Sequence, residues 1–172
     1  VILQNPAMDG LSAWQLVDFL KRTGARVELR GPDGGAAPAD GPVIVSITSE
    51  VDRALGISYR LGQSVGSMFT TFRGDHRPGD PSQRTLATTA HGLVDELVSH
   101  RASVVDGDLV LERVPGAYND TPFWIIRVSP EISRDHGDIS NPRYEALVER
   151  LVRLNRGYEA GVQTWLRTTA AE

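Results

Sequence analysis

Two stretches decide how this chain is read: Gly41-Pro42-Val43-Ile44-Val45-Ser46-Ile47-Thr48-Ser49-Glu50-Val51-Asp52-Arg53-Ala54 and, later, Phe123-Trp124-Ile125-Ile126-Arg127-Val128. Val43–Ile47 has four apolar residues in five, all of them β-branched, which suits a strand buried on both faces. Phe123–Val128 is a second such run. Val1-Ile2-Leu3-Gln4-Asn5, closed by Pro6, is a third. Strands of this kind lie in parallel sheets covered by helices, and helical patterns do fall between them.

Leu11, Trp14, Val17 and Leu20 recur at helical spacing and predict a helix over 10–23, stopped by Gly24. Residues 55–70 also read as helix, although Gly56, Gly62 and Gly66 weaken it. Leu93, Leu97 and Val98 suggest a helix over 86–100. Asn141-Pro142 looks like an N-cap with proline at the first helical position, leading into Tyr144, Leu147, Val148 and Leu151 at i, i+3, i+4, i+7. Asp106-Gly107, between Ser103-Val104-Val105 and Asp108-Leu109-Val110-Leu111, is a hairpin signal. A short strand is expected at Arg26–Leu29. Gly31–Pro42, with four Gly, three Pro and two Asp, reads as a loop, as does Phe72–Arg84. Gly157 should end the last long helix, and a short amphipathic one with Val162, Trp165 and Leu166 should close the chain. The expected fold class is therefore α/β, a mostly parallel sheet flanked by helices, in a single domain over 1–172.

Composition excludes several functions. A net charge of −4 leaves no electrostatic footprint for nucleic acid. No apolar run is long enough for a transmembrane segment. The chain has no cysteine, hence no disulfide, no thiolate metal site and no cysteine nucleophile. No Gly-rich turn follows an early strand, which argues against a nucleotide-binding domain. No cofactor is expected, and His76 in Gly74-Asp75-His76-Arg77 has no second metal ligand at turn or helix spacing. The balance is that of an ordinary soluble globular protein, with a cytoplasmic setting favoured.

In open parallel sheets the reactive side chains sit in loops past the C-terminal strand ends. Asp52 lies five residues after Val43–Ile47, just before a helix. His136, in Arg134-Asp135-His136-Gly137-Asp138-Ile139, follows Phe123–Val128. A carboxylate after one strand and a histidine after another can meet at one sheet edge, the acid orienting the imidazole and the imidazole acting as base, then acid. Other roles are open for both: Asp is a favoured N-cap, and a histidine in so polar a loop is ordinarily solvated. Asp135 and Asp138 flank the histidine. Asp9, after the first strand, is an alternative acid. His91 and His100 show no partner pattern, and Trp14 and Trp124 read as core.

These segments resemble the C-terminal half of the α/β-hydrolase superfamily. Gly41–Ala54 is similar to its seventh-strand region, which bears the triad aspartate. Phe123–Ile139 is similar to its last strand and histidine loop. Val1–Ala7 resembles the sixth strand, where the family often has a polar residue followed by a small one. The resemblance runs through most of the chain in order, on short motifs. It implies acyl hydrolysis of a small-molecule ester or lipid by serine, acid and histidine in that chain order, with Asp52 and His136 as the catalytic acid and base.

The departure from the family concerns the serine. Its elbow would lie after a fifth strand, upstream of Val1, so the expectation is of a domain incomplete at its N-terminus, its sheet completed by an N-terminal segment or a partner chain. Gly62-Gln63-Ser64-Val65-Gly66 matches G-x-S-x-G, but Leu55–Leu61 before it reads as helix rather than strand. Were Ser64 the nucleophile, the acid would have to be Asp106, Asp108 or Asp120. The competing function is a non-catalytic α/β module used for binding or assembly.

Overall fold

A computed structural model describes residues 1–24, 29–30, 36–37, 42–66 and 82–154 of the 172. Its centre is a five-stranded sheet ordered β1-β4-β7-β5-β6, formed by β1 (Ile2–Gln4), β4 (Ile44–Ser49), β7 (Phe123–Val128), β5 (His100–Val105) and β6 (Asp108–Arg113). The first four strands run parallel, and only the β5–β6 hairpin is antiparallel. With helices packed on both faces, the fold is of the α/β class. A separate two-residue ribbon pairs β2 (Leu29–Arg30) with β3 (Ala36–Ala37).

The strand alternation sorts side chains to two faces. On one, Val45, Ile47, Ile126 and Val128 pack with Ile132 and with Tyr144, Leu147 and Leu151 of α4, the helix over 142–154. On the other, Phe123 and Ile125 pack with Ala13 and Val17 of α1 (Gly10–Arg22) and with Leu86, Val94, Leu97 and Val98. Asp9 caps α1 by accepting from Ser12 N at 2.7 Å. Asn141 caps α4 by accepting from Arg143 N at 3.0 Å. Each fully buried leucine, such as Leu147, anchors its helix by an amount that truncation to alanine would reveal as about 2–5 kcal/mol.

The β5–β6 turn is the expected one. Asp106 and Gly107 have φ of 51° and 92°, the paired positive values that a two-residue hairpin of matching twist requires. Other expectations shift. The ribbon arm Leu29–Arg30 overlaps Arg26–Leu29 only at Leu29, and its partner Ala36–Ala37 lies inside the expected loop. The second buried strand extends through Thr48 and Ser49, which pair with Arg127 and Val128, so the polar turn begins at Glu50 and Asp52 follows the strand by three residues. Residues 54–59 form a π-helix that continues as α2 (Arg60–Gly66); 67–70 lie outside the described residues. Of the loop expected over 72–84, residues 72–81 also lie outside them, while Gln83 and Arg84 begin α3 (Gln83–Thr88), capped by Ser82.

The helix expected over 86–100 is not formed. α3 ends at Thr88, two short 3₁₀ turns follow (His91–Leu93 and Asp95–Leu97), and His100 already belongs to β5. Backbone groups that a helix would pair internally are taken by Met8 and Gly10, around the start of α1. Thr89 O accepts from Gly10 N at 2.8 Å, and His91 N donates to Met8 O at 3.0 Å. Gly92 presses on β4 so closely that a Cβ there would lie 2.0 Å from Thr48 Oγ1. Leu97 and Val98 are buried as their spacing suggested, but by turns rather than by a helix face. Gly157 and the expected terminal helix lie outside the described residues.

Candidate functional site

Register brings three strand ends to one edge. Gln4 pairs with Ile47, and Ser49 with Val128, so Asn5, the Glu50–Arg53 turn and the loop after Val128 emerge side by side. This edge joins Asp52 and His136, 84 residues apart in sequence, through His136 Nδ1 and Asp52 Oδ2 at 2.9 Å. The two groups differ in environment. The Asp52 side chain is 0% exposed and that of His136 52%. The buried carboxylate is fully engaged, since Oδ1 also accepts from Ala54 N at 2.8 Å and Leu55 N at 3.1 Å. Asp52 therefore caps the helix that follows and meets the imidazole with its second oxygen.

An ionised carboxylate only accepts hydrogen bonds, so Nδ1 of the neutral ring carries the hydrogen and Nε2, on the far side from Asp52, keeps its lone pair. The ring borders a depression lined by Val51, Asp52, Arg53, Ala54, Arg134 and Asp135. An imidazole in this state can take a proton at Nε2 from a hydroxyl placed there and return it later.

The loop carrying His136 is pinned along its length. Ile132 and Ser133 are buried, and Ser49 Oγ donates to Ser133 O at 2.7 Å. Asp138 Oδ2 accepts from Arg134 N at 3.0 Å and Asn141 Nδ2 at 3.3 Å, bonds that hold its carboxyl below the ordinary range. Asp135 accepts from Gly137 N at 2.8 Å. The two aspartates flanking the histidine thus shape the loop's backbone.

The other candidates fall elsewhere. Ser64 lies within α2, preceded by π-helix rather than by a buried strand, so it is not on a strand-to-helix elbow. Asp9 is spent on capping α1. Asp106 sits in the β5–β6 turn, Asp108 opens β6, and Asp120 pairs with Lys21 at 3.3 Å. His91 is fully buried between Ser46 Oγ, 2.6 Å from Nε2, and Met8 O, 3.1 Å from Nδ1; burial holds its pKa down. His100 is buried and stacked on Trp124 with ring centroids 4.0 Å apart; burial, with Arg113 nearby, lowers its pKa to about 4. Trp14 stacks on Tyr118. His76 lies outside the described residues. Among the described residues no group of three or more His, Asp or Glu side chains could hold a metal ion, and no helix is long and apolar enough to cross a membrane.

Sequence reasoning put the loop after Asn5 at this edge but gave neither Asn5 nor Ser49 a role in it. Both are buried and both bond across to the loops. The available signal was a polar residue ending each apolar run. No family model, no curated protein and no solved structure matches this chain.

Proposed function

We propose that this chain carries the acid and base of a serine hydrolase that cleaves small-molecule esters or lipids, with a serine supplied from upstream of Val1 or from another chain. The supporting observation is the 2.9 Å contact between a buried, fully bonded Asp52 and a half-exposed His136 at the C-terminal edge of a parallel sheet. In this reading His136 Nε2 removes the proton as the serine oxygen attacks the ester carbonyl carbon. Asp52 stabilises the imidazolium, and the same proton then passes to the departing alkoxide. Water repeats the sequence on the acyl-serine, releasing the acid and restoring the serine hydroxyl.

The test is phosphonylation of the native protein by a fluorophosphonate, which reacts only with an activated hydroxyl. Labelling should occur at one serine, lie outside α2, and vanish in His136→Ala. Labelling that persists in that variant, or none in the native protein, would remove the hydrolase reading. One observation favours a second reading, a non-catalytic binding or assembly module: Asp52 already has a structural task as helix cap. Under that reading, His136 merely completes the carboxylate's hydrogen bonding.

A further inference from the structure

We infer that Asn5 is a positioning residue that sets the spacing between the acid-bearing turn and the base-bearing loop, an inference that deepens the hydrolase reading and rests on it for its kinetic arm. Asn5 follows β1 and is 4% exposed. Its φ is 38°, a left-handed value that side chains other than Asn and Asp adopt reluctantly. This conformation turns the side chain at the strand end, while the Asn5 backbone N–H still donates to Ile47 O at 2.7 Å.

The carboxamide then spans the two functional loops. Oδ1 accepts from Ser49 N at 3.0 Å, at the root of the turn that carries Asp52. Nδ2 donates to the backbone carbonyl of His136 itself, at 3.4 Å, the long end of hydrogen-bonding range. Thus one planar group, rooted in a third strand, touches the last strand residue before the acid turn and the residue that bears the base. The Ser49 hydroxyl makes a parallel tie to Ser133 O, three residues before the histidine. Among the described residues, Asp135 and Asp138, which flank His136, bond only within and next to their own loop. The half-exposed ring therefore depends on Asp52 at one end and on Asn5 at its backbone.

The decisive variants separate conformation from bonding. Asn5→Gly keeps the left-handed turn and deletes both bonds. Asn5→Asp keeps the acceptor for Ser49 N and replaces the donor facing His136 O. The readout is the imidazole ¹⁵N spectrum of the histidine-labelled native protein, with His136 assigned through His136→Gln. The wild type should show His136 as the Nδ1–H tautomer. In both variants its signals should move toward an averaged mixture of tautomers. Ester turnover should fall about 10- to 100-fold in kcat with little change in KM, the scale of a small misplacement of a catalytic group. Unchanged His136 signals in variants that melt cooperatively would overturn the proposal. So would loss of cooperative melting in both, which would make Asn5 part of the sheet's framework. The tautomer is read without turnover, so a wild type inactive on esters would refute the hydrolase reading while the positioning claim is still judged on the spectrum.

Discussion

Asp52→Asn separates the two tasks of this carboxylate. The substitution keeps Oδ1, and with it the bonds from Ala54 N and Leu55 N at 2.8 and 3.1 Å. It replaces Oδ2, 2.9 Å from His136 Nδ1, by an NH₂ that can only donate. The imidazole can keep that contact only by moving its hydrogen to Nε2, the nitrogen that takes the serine proton in the proposed mechanism. Stability should therefore change by less than about 1 kcal/mol, because the cap survives. Turnover should fall by about 10⁴, equivalent to about 5.4 kcal/mol of transition-state stabilisation. Asp52→Ala loses the cap as well and should add a stability cost of about 1–2 kcal/mol. The assay is kcat on a short-chain ester beside a urea-denaturation midpoint for each protein. If Asp52→Asn keeps turnover within a few-fold of wild type, or loses as much stability as Asp52→Ala, the carboxylate is a cap and not a triad acid.

Other expectations bear on the frame and on the rival nucleophile. Ser64→Ala should leave ester turnover within about two-fold; a loss beyond about 100-fold, on the scale of removing a nucleophile, would make Ser64 the nucleophile despite its helix. His100 stays neutral in the fold down to about pH 4, whereas the unfolded chain protonates it near 6.5. Because the unfolded state binds the proton first, stability should decline as pH falls from 6.5 to 4, by up to about 3 kcal/mol. His100→Phe, which keeps a ring on Trp124, should flatten that decline; an identical pH dependence of the denaturation midpoint in both proteins would contradict the assignment. Gly92→Ala should cost about 1–3 kcal/mol or more in denaturant unfolding, since its methyl would meet the Thr48 side chain; a neutral effect would mean that the turn is looser than described.

What was legible in the sequence follows from how far each signal reaches. Phe123–Val128 is apolar enough that burial on both faces is its only economical fate, and it forms β7 with those bounds. Asp106-Gly107 specifies its turn locally through positive φ. The apolar stripe of 86–100 reported burial correctly but not the backbone, because Met8 and Gly10, some 80 residues away, take the hydrogen bonds that a helix would have used. Thr48 and Ser49 look like turn residues in isolation and become strand only because Arg127 and Val128 lie alongside. The pairing of Asp52 with His136 was accessible because strand order and loop position imply a common edge. The bridge from Asn5 was not, since nothing local says which two loops a polar strand-end residue will join.

The central claim is that His136 is a general base held by Asp52, and the kinetics of His136→Ala in the native protein test it most directly. The ring is half exposed, so its removal opens no core cavity and should leave the melting curve nearly unchanged. Short-chain ester turnover should fall by about 10⁶, as when a triad base is removed outright. Turnover retained within ten-fold by a normally folded His136→Ala protein would contradict the account.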